Sequence, residues 1–245
     1  MPASEDAVVR EWLVGGERGG VVAQDLGRIG YERAFGVQRD RHERVLAARG
    51  RAESAGYLLL LEHDPPVITV SKRAGSREHL LATEEMLARA GVEVRETDRG
   101  GDITYHGPGQ LVAYPIVDLN RLGLNLHGYM RLLESVVMDV CAAVGVRGRR
   151  DESATGVWVD QAGGAPARKV CAMGIRVRRW VTMHGLALNV SPDLGHFDLI
   201  VPCGLAGRGV TSLSRELGEG APGVEEVKTL LAERFGASVE GVGRG

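Results

Sequence analysis

The chain has 245 residues, of which 44% are apolar and 25% charged, with a formal net charge of −2. Those values suit a soluble globular α/β protein of one domain or two small ones. They give no global case for nucleic-acid binding, and no apolar run approaches the roughly 20 residues of a membrane span. Met1 to Val9 carries acidic residues and lacks the apolar stretch of a signal peptide. Three cysteines, Cys141, Cys171 and Cys203, are widely spaced without a CxxC pair. That pattern argues against a disulfide framework and for a reducing, cytoplasmic setting. Seven histidines show no HExxH spacing, so no metal site is expected. Basic residues are nearly all arginine, and only Lys72, Lys169 and Lys228 are lysine. Each lysine is therefore a position where a compact, deprotonatable head is worth asking about.

Residues 1–10 read as a flexible tail and 11–240 as a single domain. A helical stripe runs from Ile29 to Ala48 through Tyr31, Ala34, Phe35, Gln38, His42, Val45 and Leu46, and Gly50 stops it. Tyr57 to Leu61 is a fully apolar strand, broken by Glu62-His63-Asp64-Pro65-Pro66, and Val67 to Val70 is a second. Thr83 caps a short helix that ends at Gly91, and Val92 to Val94 is a short strand. Residues 99–110, Arg-Gly-Gly-Asp-Ile-Thr-Tyr-His-Gly-Pro-Gly-Gln, hold four glycines and read as a loop that feeds the next strand. That strand, Leu111 to Val117, contains Pro115, which predicts an edge or a bulge. Asn125 caps the clearest helix, with Met130, Leu133, Val137, Val140, Cys141 and Val144 on one face and Gly145 at its end. Gly156 to Val159, Lys169 to Val177 and Val181 to Val190 then predict an antiparallel meander. A last helix spans Val224 to Phe235 and stops at Gly236. The fold class is α/β (α+β): a mixed, largely antiparallel sheet with flanking helices, placed on one face.

The glycine-rich loop is either a backbone-lined cradle or a tight turn, and it matches no phosphate-loop pattern. Cys203 lies in Ile200-Val201-Pro202-Cys203-Gly204-Leu205, off any periodic element, and reads equally as a nucleophile or as an ordinary loop thiol. His106, His184 or Lys169 could assist it. Lys169 opens an apolar strand, where partial burial would suit general acid/base work and where snorkelling to water is the structural alternative. Cys141 and Cys171 sit at packing positions. Arg147, Arg149, Arg150, Arg176, Arg178 and Arg179 could steer an acidic partner or simply form a solvated face.

Four segments taken together are more specific than any one. Arg99 to Gln110, Lys169-Val-Cys-Ala-Met-Gly174, Trp180-Val-Thr-Met-His184-Gly-Leu-Ala-Leu-Asn189 and Pro202-Cys203-Gly204 recur in this order. From about residue 25 to 235 the chain resembles the lipoyl(octanoyl) transferases. Glu62-His63, Pro65-Pro66 and Thr211-Ser212-Leu213 also fit, whereas Val170-Cys171 departs from the usual Ile-Ala. The resemblance implies a fold shared with biotin- and lipoate-protein ligases. It implies transfer of an octanoyl group from octanoyl-acyl carrier protein to a lysine of lipoyl domains, including those of 2-oxoacid dehydrogenase complexes and the glycine cleavage H protein. By the same match, Cys203 carries the acyl group and Lys169 assists it. Substrate contact falls to Arg99, Gly100, Gly101, Asp102, Ile103, Thr104, Tyr105 and His106, and to Ala172, Met173, Gly174, Gly185, Leu186 and Ala187. No cofactor and no metal are implied, and a monomer is expected. An ATP-dependent lipoate or biotin ligase and a non-catalytic acyl- or lipoyl-domain-binding protein are the alternatives. The intact Lys169–Cys203 combination weighs against both.

Overall fold

The computed structural model describes residues 7–15, 20–50, 56–202 and 208–242. Two strands open it, β1 (Arg10–Val14) and β2 (Val21–Ile29), followed by α1 (Tyr31–Ala47), β3 (Gly56–His63) and β4 (Val67–Ser71). Next come α2 (Glu84–Ala90), β5 (Glu93–Thr97), β6 (Ile103–His106), β7 (Gln110–Val117) and α3 (Leu126–Ala143). The chain continues through β8 (Gly148–Arg149), β9 (Val157–Val159), β10 (Arg168–Arg178) and β11 (Val181–Asn189), and ends with α4 (Leu213–Leu217) and α5 (Val224–Val242). Eight strands form one sheet in the order β1-β2-β3-β7-β11-β10-β9-β8, and β5-β4-β6 form a second. Within each sheet every neighbouring pair is antiparallel except β2/β3 and β4/β5.

The mixed sheet, the caps and the meander follow from local sequence. Thr83 accepts a hydrogen bond from the Met86 N–H at 3.3 Å, and Asn125 accepts one from Gly128 at 2.8 Å. These contacts satisfy helix-start donors that have no partner within the helix. β9, β10 and β11 pair antiparallel as the meander requires.

Several expectations are corrected. Helices cover both faces of the large sheet, not one. Leu58 and Leu60 enter the core that contains α3 and α5, while Leu59 and Leu61 enter the core beneath α1. A strand covered on both sides has no polar face to show, which explains the unbroken apolar run. Each fully buried leucine contributes about 2 kcal/mol on transfer alone.

Pro115 lies in an interior strand, since β7 sits between β3 and β11. The Thr182 hydroxyl compensates for the missing ladder donor: it accepts from the Val117 N–H at 2.9 Å and donates to the Pro115 carbonyl at 2.8 Å. Nearby His184 has φ 58° and turns its own N–H to the Gln38 side chain, 2.8 Å away. So the irregularity was legible, but its position in the sheet was not.

The presumed loop 99–110 contains β6, which pairs with β4. The last helix continues past Gly236, because that glycine is not a stop. A Cβ there would lie 2.6 Å from the Gly15 nitrogen, so glycine lets β1 approach the helix backbone. Along α1, Val37 and Arg41 are buried in place of Phe35 and Leu46.

β1 and β2 were not anticipated. β2 buries Gln24 and Asp25, which obscure its pattern, because each meets a partner inside the fold. Arg41 donates to Gln24 at 2.8 Å, and Lys228 Nζ lies 3.0 Å from both Asp25 oxygens. Ala7 is already buried, and the Val9 N–H donates to the Asp25 carbonyl at 2.7 Å.

Candidate active site

A cavity lies against the inner strands of the large sheet. From the segment 99–106, Arg99, Gly101, Asp102, Thr104 and His106 line it. Across from them stand Ala172, Met173 and Gly174 of β10 and Gly185, Leu186 and Ala187 of β11. Three of the residues singled out from sequence lie elsewhere. Ile103 and Tyr105 alternate away from the cavity, into the core that the small sheet shares with Phe197 and Leu199. The Tyr105 hydroxyl lies 2.9 Å from His196 Nδ1. Gly100 lines a neighbouring groove.

Backbone proximity joins the two walls. The Gly100 N–H donates to the Ile175 carbonyl at 2.9 Å, and a Cβ on Gly174 would lie 2.6 Å from the Gly100 carbonyl oxygen. Glycine at 174 is therefore required by close approach.

The groove holds Lys169, with Arg73 and the exposed Leu126 also on its lining. Gly101, Asp102, Met173 and Gly174 belong to cavity and groove alike. Lys169 is 7% exposed, and its Nζ lies 4.7 Å from the Trp158 ring centre. Its backbone N–H donates to Gly209 at 3.0 Å and its carbonyl accepts from Thr211 at 2.9 Å. The segment that returns after residue 207 is thus bound along the start of β10. Arg208 stacks on the same indole at 3.7 Å and pairs with Asp151 at 2.6 Å. That guanidinium holds the Asp151 carboxyl well below the usual carboxylate range. On the other side, the Val201 N–H donates to the His79 carbonyl at 2.8 Å, and His79 Nδ1 lies 2.7 Å from Asp102 Oδ2. Cys203 lies outside the described residues. Both described flanks of its segment are therefore bound to the site, one near Asp102 and one along Lys169. The other two thiols are buried and unsuited to attack. Burial pushes Cys141 up to about 12, and Cys171 is raised further for the same reason.

Burial keeps the histidines in and beside the cavity uncharged. Burial lowers His63 to about 4. It lowers His106 well below the ordinary value, with His63 adding to the effect. His106 Nδ1 donates to the Gln110 amide oxygen at 2.7 Å, so its other ring nitrogen is the acceptor. His184 bonds Asp98 at 2.8 Å, but burial outweighs the carboxylate and its pKa is lowered too.

Sequence reasoning did not place Tyr31, Thr69 or Tyr114 on the wall, and weighed His184 as a possible partner for Cys203. Thr69 had a signal: it is the polar residue between Ile68 and Val70, and the pleat points it away from their core. Of the arginine cluster, Arg149 pairs with Asp160, Arg150 with Glu134, and Arg176 with Asp98.

The architecture is that of the lipoate-protein ligase catalytic domains. Lipoate-protein ligase A bound with ATP superposes with a TM-score of 0.65 at 15% identity, covering 91% of this chain and 92% of that one. Residues 35–236 match the lipoyl protein ligase A/B catalytic domain. The octanoyltransferase of Chloroflexus aurantiacus is 48% identical over 212 residues, covering 86% of this chain and 90% of that protein. The octanoyltransferase of Porphyromonas gingivalis is 43% identical over 218 residues; the match covers 87% of this chain but 44% of that longer protein. The chain belongs to the lipoyl protein ligase A/B catalytic-domain family. It is an acyltransferase. Among the described residues, no helix is long and apolar enough to cross a membrane.

Proposed function

We propose that this enzyme transfers an octanoyl group from octanoyl-acyl carrier protein to a lysine of lipoyl domains, through a thioester on Cys203. One observation carries the reading: a largely apolar cavity shares part of its wall with the groove that holds Lys169. The cavity suits an uncharged acyl chain, whose burial is worth about 0.8 kcal/mol per methylene. The groove suits the reacting ends of the two substrates. Octanoyltransferase relatives at 43–48% identity support the same chemistry.

The steps balance without ATP or a metal. The Cys203 thiolate attacks the donor thioester carbon, and the carrier sulfur leaves with a proton from Lys169. The acceptor lysine then attacks the enzyme thioester as a neutral amine, Lys169 takes its proton, and the Cys203 thiolate is released. The oxyanion formed in each step needs fixed donors. Residues 11–240 act as one catalytic unit, a cytoplasmic monomer with no resident cofactor. Arg99, Gly101, Asp102, Thr104 and His106 contact the acyl chain or its thioester.

Incubation with octanoyl-acyl carrier protein, followed by intact mass measurement, tests the scheme. An octanoyl adduct is expected on the wild type and not on Cys203→Ala. An adduct of equal yield on Cys203→Ala would overturn the assignment. Product made only from octanoate plus ATP would favour the ligase alternative.

A further inference from the structure

The acyl cavity runs across strands. At one end are the residues it shares with the Lys169 groove, among them Met173 and Gly174 of β10. It continues over Gly185 and Ala187 of β11 and reaches Tyr114 of β7, the next strand in the sheet. Strands lie about 4.8 Å apart, so β10 to β7 is roughly 10 Å. An extended eight-carbon acyl chain advances about 1.3 Å per bond, roughly 9 Å in all. The two lengths agree.

Tyr31 stands at the far end. It is the first residue of α1, so it reaches the cavity from the helix that covers the sheet and not from a strand. Its ring lies 5.5 Å from that of His63, on β3 beyond β7. Phe35 stacks on it, with centroids 6.3 Å apart and planes 4° from parallel. Phe35 in turn stacks on His184 at 5.8 Å. The Tyr31 side chain is thus backed by other rings and is 5% exposed. It cannot swing aside without displacing Phe35 or His63.

We propose that Tyr31 is the specificity-determining residue that sets acyl-chain length, by closing the end of the cavity opposite the Lys169 groove. This rests on the octanoyl-transfer reading for its chemistry, though not for its geometry. A chain longer than eight carbons meets the ring, and a shorter one leaves part of the cavity unfilled.

The test is a series of saturated acyl-carrier donors from six to fourteen carbons, compared by kcat/KM. Wild type is expected to peak at eight carbons. Tyr31→Leu opens the end, and each newly buried methylene is worth about fourfold. Its ratio of dodecanoyl to octanoyl transfer should rise at least about tenfold over wild type. Tyr31→Phe keeps the ring and should keep the wild-type profile, while Tyr31→Trp should move the optimum toward six carbons. An unchanged optimum in both Tyr31→Leu and Tyr31→Trp, or equal use of eight and twelve carbons by wild type, overturns the proposal. The same series of free fatty acids, read by thermal shift on folded wild type and Tyr31→Leu, measures the cavity without catalysis. Absence of transfer from any carrier, combined with a length cutoff in that assay that Tyr31→Leu relaxes, would reject the reaction and retain the role of Tyr31. No such cutoff would reject it.

Discussion

His63 illustrates how one side chain joins the site to stability. It is fully buried, with Nδ1 3.2 Å from the Ile29 carbonyl and Nε2 2.8 Å from the Tyr114 hydroxyl. Its folded pKa of about 4 lies below the ordinary 6.5, so the unfolded chain binds more protons between those values. Stability from this group is complete above about pH 6.5 and is lost as pH falls toward 4. The full effect is on the order of 3 kcal/mol. His106 and His184 act in the same direction. Urea midpoints between pH 7 and pH 4.5 should therefore fall steeply in wild type and less steeply in His63→Gln. Equal slopes would remove His63 as a cause. The sequence drew attention to Lys169 and Cys203 through their surroundings, an apolar strand and a Pro-Cys-Gly loop. It did not reveal the neutrality of the histidines, because desolvation depends on neighbours from β3, β6, β7 and β11.

At the scale of elements, the join between β10 and the segment before β6 defines the passage from groove to cavity. Gly174→Ala places a methyl 2.6 Å from the Gly100 carbonyl oxygen and 3.2 Å from Arg99 Cδ. The loop must shift, and overpacking of this kind costs about 1–3 kcal/mol. The kcat/KM with the octanoyl donor should drop at least about tenfold, which is the lower half of that range, while the protein remains folded by circular dichroism. Unchanged kcat/KM would show that the two walls do not need this approach. A glycine inside a strand marks a close neighbour, but which neighbour depends on a contact with residue 100. β6 was hidden for a related reason. Its four residues follow two glycines and precede Gly-Pro-Gly, so local composition resembled a loop. Pairing with β4 is what makes it a strand.

The whole molecule is tied together by its ends. Lys228 of α5 is 1% exposed and meets Asp25 of β2, 203 residues away in sequence. Glu225 also bonds the Lys228 ammonium. Breaking a buried pair from one side typically costs about 3–5 kcal/mol. Lys228→Met should therefore lower urea stability by that order, and the double variant Lys228→Met/Asp25→Leu should recover much of it. Failure of the double variant to recover would assign the loss to packing. The three lysines thus differ: Lys72 is exposed, Lys228 is buried in an ion pair, and Lys169 is buried at the candidate site. The sequence by itself determined the capped helices, the β9–β11 meander, the mixed sheet and the set of motifs. Those rest on hydrophobic period, turn chemistry and residue identity, all of which are local. Only the tertiary structure decided that helices cover both faces, that Pro115 is interior, that β1 and β2 complete the sheet, and that Tyr31 lines the cavity. Each of these depends on partners distant in the chain, and a partner supplied from afar can satisfy a buried polar group or replace a missing N–H without leaving a periodic trace.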